Sequence, residues 1–150
     1  MNQPEFQITN DIRLVLDALI LHDKVFAEGL ETLFNSKEEW LRRINNGGYF
    51  VVCTSGSAVV GYAVCDITET DDFKIWLVGV DSDFRQQGIW TLLYTNIIKH
   101  ALSESRSHVL LNTFPAKFPA MYAFLQSVGA EIYEKKLVDG DEKYYAKIRL

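Results

Sequence analysis

The residues best suited to chemistry lie in segment 78–93, VGVDSDFRQQGIWTLL, where an apolar strand-like run enters a polar turn and then a helical pattern. The first N–H groups of a helix have no partner inside it and lie at the positive end of its dipole, so a phosphate is their natural ligand. Gly88 permits close approach of the backbone to a ligand, and Arg85 adds positive charge. Taken alone this turn is a weak signal, because many turns use glycine only for its conformation.

The sequence lacks the motifs of two other nucleotide sites. No G-x-G-x-x-G follows an early strand, and no Lys-Ser or Lys-Thr follows the glycine as a P-loop requires. Neither Cys-x-x-Cys nor His-x-x-x-His occurs, so we expect no metal. Cys53 and Cys65 lie in apolar, strand-like surroundings, where a thiol usually serves as a small buried hydrophobe.

Four segments show apolar residues at spacings of three and four and are predicted helices: about 11–27, 36–46, 87–104 and 117–128. Ser36 and Glu39 match the reciprocal capping pattern that opens the second helix, and Gly129 ends the fourth. The third helix has a predicted core face formed by Ile89, Leu92, Leu93, Ile97 and Ala101.

Segments rich in β-branched and aromatic residues are predicted strands: 6–8, 49–54, 58–67, 73–80, 108–113, 131–138 and 143–150. The last strand follows a hairpin turn at Asp139-Gly140 and alternates outward Lys and Arg with inward apolar groups. This order of elements predicts one α/β domain over residues 1–150, with a mixed sheet and helices on both faces.

Composition narrows the range of functions. The 150 residues fit one hydrophobic core, and an apolar fraction of 48% excludes a disordered chain. The 20 acidic and 15 basic residues give a net charge of -5, and no basic run exceeds a pair, which argues against a nucleic-acid partner. No apolar run is long enough to cross a bilayer, and the start lacks signal-peptide features, so we expect no membrane partner and a cytoplasmic location.

Residues 80–89, VDSDFRQQGI, are similar to the motif Val-x-Pro-x-Tyr-Arg-Gly-x-Gly-Ile of the GCN5-related N-acetyltransferase (GNAT) family, and Leu93 matches the leucine that follows it. The order of predicted elements resembles that family over nearly the whole chain. The resemblance implies the GNAT fold, a central, mostly antiparallel sheet of six to seven strands with helices on both faces. It also implies an N-acetyltransferase that uses acetyl-CoA and no metal, and in which a primary amine of a small molecule or protein attacks the thioester directly.

The resemblance also implies roles for individual residues. The Thr91 hydroxyl is able to contact the cofactor diphosphate, and backbone amides hold that group, namely those of Gln86, Gln87, Gly88, Ile89 and Trp90. The preceding strand around Leu77, Val78 and Val80 is expected to pair with the pantetheine arm like an added strand. A backbone N–H of that strand would polarise the thioester carbonyl.

Two departures from the family pattern matter for the site. The family usually has Gly or Ala where this chain has Trp90, so either the indole points away from the diphosphate or the cofactor sits differently, and a core-packing Trp90 is the structural alternative. The family's general acid is commonly a tyrosine four residues before the glycine that ends the penultimate helix, where this chain has Leu125. Tyr122, one turn earlier, could protonate the thiolate; otherwise it is a core aromatic and water does so.

The sequence singles out no general base. The candidates are acids near the sheet end and two residues of the first helical region: Asp66, Glu69, Asp71, Asp72, His22 and Glu28. Aromatic residues beyond the fifth strand could form an apolar wall of the acceptor cleft, although such a stripe commonly packs in a core: Phe114, Phe118, Tyr122 and Phe124.

A second function stays open at this point. Trp90 and Leu125 would also suit a non-catalytic sensor or interaction module that binds acyl-CoA or has lost it. The final strand pair offers an edge on which two copies could join as a homodimer.

Overall fold

The structure is a computed structural model that describes residues 5–9, 11–25, 37–67, 72–85 and 87–150. The strands are β1 (Glu5–Thr9), β2 (Tyr49–Ser55), β3 (Ala58–Ile67), β4 (Phe73–Val80), β5 (His108–Thr113), β6 (Glu131–Val138) and β7 (Asp141–Arg149). The helices are α1 (Ile12–Val25), α2 (Lys37–Asn45), α3 (Ile89–Ser103) and α4 (Pro119–Ser127).

The strands form one seven-stranded sheet in the order β1-β2-β3-β4-β5-β7-β6. Neighbouring strands run antiparallel except β4 and β5, which are parallel. This architecture confirms the predicted fold class, a mixed sheet that is mostly antiparallel. The β4–β5 connection carries α3 because parallel neighbours need a crossover.

Apolar residues cover both faces of the sheet. On one face α3 packs Ile89, Leu93, Ile97 and Ala101 into a core shared with β2 to β5 and β7. On the other face α1 and α2 bury a second core whose largest members are Trp40, Phe50 and Tyr62. The predicted helices on both faces are therefore confirmed.

The predicted bounds of the third and fourth helices were wrong by about two residues. Helix α3 begins at Ile89 with Gly88 as its N-cap, so Gln87 precedes it. Helix α4 begins at Pro119, because proline has no N–H to donate and suits the first helical position. The predicted start at Ser36 and the predicted end at 26–27 lie outside the described residues.

The predicted core face of α3 was wrong at one position. Leu92 is 42% exposed, whereas Ile89 and Leu93 are buried. A helix turns by about 100° per residue, so Leu92 lies about 100° from Leu93 and outside the buried stripe.

Two smaller predictions, the hairpin turn and the buried cysteines, are confirmed. Asp139 and Gly140 both have positive φ, 53° and 86°, as a tight hairpin turn between β6 and β7 requires. Cys53 and Cys65 are buried free thiols, and burial raises the pKa of Cys53 to about 11. None of the described helices combines the length and apolar character needed to cross a bilayer.

Candidate functional site

The turn after β4 is held by its own backbone and by α1. The Asp81 N–H donates to the carbonyl of Val60 at 2.8 Å, and the Asp81 carboxylate accepts the Asp83 N–H at 3.0 Å. The Lys24 ammonium of α1 bonds the same carboxylate at 3.1 Å. The pKa of Asp81 is below its usual value, mainly because the carboxylate accepts the Asp83 N–H and also because it bonds Lys24. The turn is thus fixed to β3 and α1.

Gly88 sets the start of α3. Its φ of 75° lies in the left-handed region that favours glycine, and its carbonyl accepts the N–H of Leu92 at 3.0 Å. The N–H groups of Ile89, Trp90 and Thr91 therefore precede the first hydrogen bond within the helix, at the positive end of its dipole. No described atom lies within 4 Å of a Cβ built on Gly88, so the space beside this turn is open.

A second glycine holds this helix start against the sheet. A Cβ on Gly61 of β3 would lie 2.9 Å from Cγ2 of Ile89 and 3.3 Å from Cδ1 of Leu93. The missing side chain lets the first turn of α3 pack directly on β3. The helix N-terminus is thereby held at the end of β4.

The polar side chains around the turn mainly bond the turn itself. Arg85 is exposed, and its Nε donates to the carbonyl of Val80 at 3.3 Å. The side-chain amide of Gln87 donates to the carbonyl of Asp83 at 3.4 Å. Gln86, one of the predicted diphosphate residues, lies outside the described residues.

The Trp90 side chain packs between α3 and α4. Its ring centroid lies 5.1 Å from that of Phe124 and 5.8 Å from that of Tyr94. It contacts the core on the α3 face of the sheet. The sequence left open whether Trp90 packs in the core. In the structure its indole does pack there, in contact with α4.

Strands β4 and β5 separate along the second half of β4, which leads to the turn at Gly88. Their ladder joins Phe73, Lys74 and Ile75 to Val109, Leu110 and Leu111 and ends there in the described chain. Beyond Ile75 the edge of β4 that faces β5 is therefore open, and its N–H and C=O groups can pair with an added extended chain.

A β-bulge lies at the point of separation. Residue Cys65 pairs with Ile75 and Val64 pairs with Leu77, so Trp76 has no opposite residue on β3. Trp76 and Leu77 consequently both pack toward the α1 and α2 face. Bulges redirect side chains at sheet positions of this kind.

A cavity of about 300 Å³ fills the gap between the two strands. One wall is the bulged part of β4, and the other is the end of β5 with the segment after it. The lining residues are His22, Arg43, Lys74, Trp76, Leu77, Val78, Leu111, Asn112, Thr113, Phe114, Phe118, Met121 and Lys143. The lining thus includes residues from both faces of the sheet.

Among the candidate bases that the structure describes, His22 lines this cavity. It is 2% exposed, and its Nδ1 makes a short hydrogen bond with the Tyr62 hydroxyl. Burial, with a smaller contribution from Asp23, raises the pKa of Tyr62 far above its usual value, so the phenol stays neutral. The His22 ring also packs on Trp40, at a centroid distance of 5.4 Å.

Two of the other candidate bases, Asp66 and Asp72, are described and do not line the cavity. Asp66 is ion-paired with Arg43, and Asp72 lies 3.4 Å from Nδ1 of His108, before the start of β4. Three further candidates lie outside the described residues: Glu28, Glu69 and Asp71.

Tyr122 packs edge-on against Tyr144 of β7, with ring centroids 5.4 Å apart, and is not among the residues that line the cavity. Leu125 is buried in the core. Of the predicted aromatic wall, Phe114 and Phe118 line the cavity, whereas Phe124 packs on Trp90. The role of Tyr122 as general acid stays a prediction.

Sequence reasoning missed the three charged residues of the cavity, Arg43, Lys74 and Lys143. Lys143 was predicted to face outward, but it is half-buried and lines the cavity together with Lys74. The strand pattern held part of the signal, since Lys74 and Trp76 alternate with the buried Phe73 and Ile75. What the pattern lacked was the gap between β4 and β5.

Comparisons with known proteins agree with this fold. Ribosomal-protein-S18-alanine N-acetyltransferase from Escherichia coli is 14% identical with a TM-score of 0.83, covering 98% of this chain and 94% of that one. An aminoglycoside 6'-N-acetyltransferase complexed with coenzyme A is 14% identical with a TM-score of 0.75, covering 97% and 96%. The yncA protein from Salmonella typhimurium, with its cofactor acetyl-CoA, is 13% identical with a TM-score of 0.72, covering 99% and 95%.

A search of curated proteins found no match. The sequence model described as "Acetyltransferase (GNAT) family" matches residues 16–130. That match spans 115 of the 150 residues and includes β4, the turn after it, α3 and α4. The chain therefore belongs to the GNAT family of acetyltransferases.

Proposed function

We propose that this acetyltransferase moves the acetyl group of acetyl-CoA to a primary amine, which attacks the thioester directly. One observation carries the proposal: the open edge of β4 runs from the cavity to the turn that begins α3. An extended molecule with an anionic end and a reactive end matches that path. Solved relatives of the same fold hold coenzyme A or acetyl-CoA.

The diphosphate is assigned to the turn at Gly88. Backbone amides of Gln86, Gln87, Gly88, Ile89 and Trp90 would hold its oxygens, with Arg85 and the Thr91 hydroxyl adding contacts. The open space beside Gly88 supports this assignment, because GNAT-type anion binding needs room there and no described side chain beyond its chain neighbours fills it. The Trp90 indole lies against Phe124, so the backbone N–H of Trp90 would stay available to the ligand.

The pantetheine arm is assigned to the edge of β4. Leu77, Val78 and Val80 would pair with its amides as a neighbouring strand does, and a backbone N–H at the bulge would polarise the thioester carbonyl. Leu77 and Val78 also line the cavity, so the acetyl group would be delivered into it.

In the transfer step the amine nitrogen forms a bond to the acetyl carbon, and the carbon–sulfur bond breaks. The nitrogen loses a proton, and the thiolate of CoA gains one from Tyr122 or water. His22 is the proposed proton acceptor. In the tautomer whose Nδ1–H donates to the Tyr62 oxygen, Nε2 has a lone pair that can take the proton.

Two measurements test the proposal. Isothermal titration with acetyl-CoA asks whether the cofactor site exists, and a CoA-thiol release assay over a panel of amines asks whether transfer occurs. We expect binding together with amine-dependent thiol release. Absence of acetyl-CoA binding would refute the function, and binding without turnover of any amine would favour a sensor that only binds the acyl-CoA.

A further inference from the structure

The cavity between β4 and β5 is cationic although the chain as a whole carries a net charge of -5. Arg43, Lys74 and Lys143 line it, and no Asp or Glu is among its lining residues in the described chain. A cation-lined, largely apolar cavity attracts an anionic ligand and repels a polycation.

The charge of Arg43 is already matched. Its guanidinium pairs with Asp66 and with Glu39 of α2, and it lies over the Trp76 ring at 3.4 Å. Arg43 therefore holds Trp76 in place at the bulge and leaves little charge for a ligand.

The charges of Lys74 and Lys143 are not matched in this way. Neither forms an ion pair with any residue in the described ranges. The Lys143 ammonium lies 5.5 Å from the Phe114 ring centroid and 5.4 Å from that of Tyr145. Burial first, and then the charges of Lys74 and Lys136, lower the pKa of Lys143. Two ammonium groups that lie near each other oppose folding when no acid of the described residues pairs with them, so an anionic ligand is a natural partner.

The two lysines reach the cavity from opposite sides of β5. Lys74 lies on β4 opposite Leu110, and Lys143 lies on β7 one residue before Tyr144, which is opposite Thr113. Asn112 of β5 lines the cavity with them and can donate or accept a hydrogen bond. The cavity volume of about 300 Å³ is at the small end for ligand sites and would also receive the acetyl group, so it leaves room only for a compact acceptor.

We propose that the acceptor is a small amine that also carries an anionic group, a carboxylate or a phosphate, which Lys74 and Lys143 bind. This inference rests on the acetyl transfer proposed above and names its substrate class. The same positive charges disfavour the ammonium form of the acceptor, because like charges lower the pKa of an amine. The lysines would then select the anion and raise the fraction of reactive free amine.

The test compares matched acceptors in the thiol-release assay. Each amino acid is paired with its amide, which keeps the amine and removes the negative charge, and a phosphate-bearing amine and a polyamine complete the panel. We expect kcat/KM for the anionic member to exceed that of its amide by about 10- to 100-fold, the usual effect of one charged hydrogen-bonded contact. The acceptor with the higher kcat/KM, carboxylate-bearing or phosphate-bearing, identifies the anion.

Variants then assign the effect to the two lysines. Lys74→Met and Lys143→Met should bring the ratio of anionic to amide kcat/KM close to one. Lys147→Met is the matched control, because Lys147 lies on the same strand as Lys143 and over the ring of Tyr133, but does not line the cavity. Circular dichroism and acetyl-CoA titration report whether each variant retains its fold and cofactor site.

Failure of the inference is distinct from failure of the function. Transfer to amides or polyamines in preference to anionic amines would overturn the anionic acceptor while acetyl transfer stands. If acetyl-CoA binds but no amine reacts, binding replaces turnover as the test. The protein with CoA is titrated with N-acetylated amino acids and, separately, with their amides. Equal binding of the two overturns the inference, and binding of the anion alone supports it.

Discussion

Gly79 of β4 lies opposite Tyr62 of β3, and a methyl group on Gly79 would lie 2.5 Å from Cε1 of the Tyr62 ring and 2.7 Å from its hydroxyl oxygen. The missing side chain lets the ring lie across β4, where its hydroxyl bonds His22. The placement of His22 at the cavity therefore depends on a glycine two residues beyond Leu77.

We expect Gly79→Ala to displace the Tyr62 ring. Overpacking in a buried sheet costs roughly 1–3 kcal/mol, so the free energy of unfolding should fall by about that amount in urea denaturation. The rate of acetyl transfer should fall as well, because His22 loses its hydrogen-bonded support.

A double-mutant cycle separates this clash from any general effect of alanine in β4. In a Tyr62→Ala background the ring is absent, so adding Gly79→Ala should cost much less stability than in the parent protein. Equal costs in both backgrounds would show that the close approach is not the cause.

Most of the fold could be predicted because its signals are local. The β-branched and aromatic residues of β2 and β3, the Val-Leu-Leu run of β5 and the spacing of Ile89, Leu93 and Ile97 indicate element types without reference to the rest of the chain. The errors arose where residue spacing alone was not enough. Helix α4 starts at Pro119 because proline lacks an N–H, and Leu92 lies just outside the buried stripe of α3.

The candidate site was predictable only in part. The turn at Gly88 is formed by consecutive residues, so it can be recognised from one segment of the sequence. The cavity instead brings together α1, α2, β4, β5, α4 and β7, and no local pattern shows that Lys74, His22 and Lys143 share one space. The bulge at Trp76 arises from strand pairing, which single-strand alternation does not report.

His22→Gln tests the proposed base. Glutamine retains much of the volume of histidine but takes up no proton, so we expect kcat to fall by about 10²- to 10⁴-fold, the usual share of general base catalysis. Steady-state thiol release across pH 6 to 9 is the measurement. A variant with unchanged kcat and an unchanged pH profile would exclude His22 as the proton acceptor.

Tyr62→Phe is the companion variant. It removes only the hydroxyl that bonds Nδ1 of His22, so the imidazole loses an orienting partner but is retained as a group that can take up a proton. We expect a fall in kcat of about tenfold, smaller than that of His22→Gln. A larger fall than in the histidine variant would indicate that Tyr62 acts in its own right.

Gly88→Trp tests the diphosphate turn. No described atom lies within 4 Å of the position of its Cβ, so an indole should enter the space assigned to the ligand rather than clash with the protein. We expect acetyl-CoA affinity by isothermal titration to fall by more than about 100-fold, as loss of two or more charged contacts would cause.

Gly88→Asn is the matched control for backbone strain. The φ of 75° strains any residue with a side chain, but asparagine tolerates the left-handed region better than others. It should fold with a modest loss of stability and retain more affinity than the tryptophan variant. Equal affinity in the parent and both variants would place the cofactor elsewhere.

Lys143→Met should stabilise the protein while impairing use of an anionic acceptor. Burial and the charges of Lys74 and Lys136 lower the pKa of Lys143, so the charged form is less favourable in the folded state than in the unfolded state. Methionine keeps the length and can pack on the rings of Phe114 and Tyr145. We expect the melting temperature at pH 7 to rise by about 1 to 3 °C.

The gain from Lys143→Met should depend on pH in one direction. Between the lowered folded pKa and the ordinary value of 10.5, the unfolded chain binds more protons at this residue, so parent stability rises with pH. The charges of Lys74 and Lys136 act on Lys143, and the Lys117–Asp141 ion pair lies against the same Phe114 ring, so the comparison is made as a difference between variant and parent. The advantage of methionine should be largest at pH 7 and shrink toward pH 10. An advantage that grows with pH would contradict a charged, half-buried Lys143.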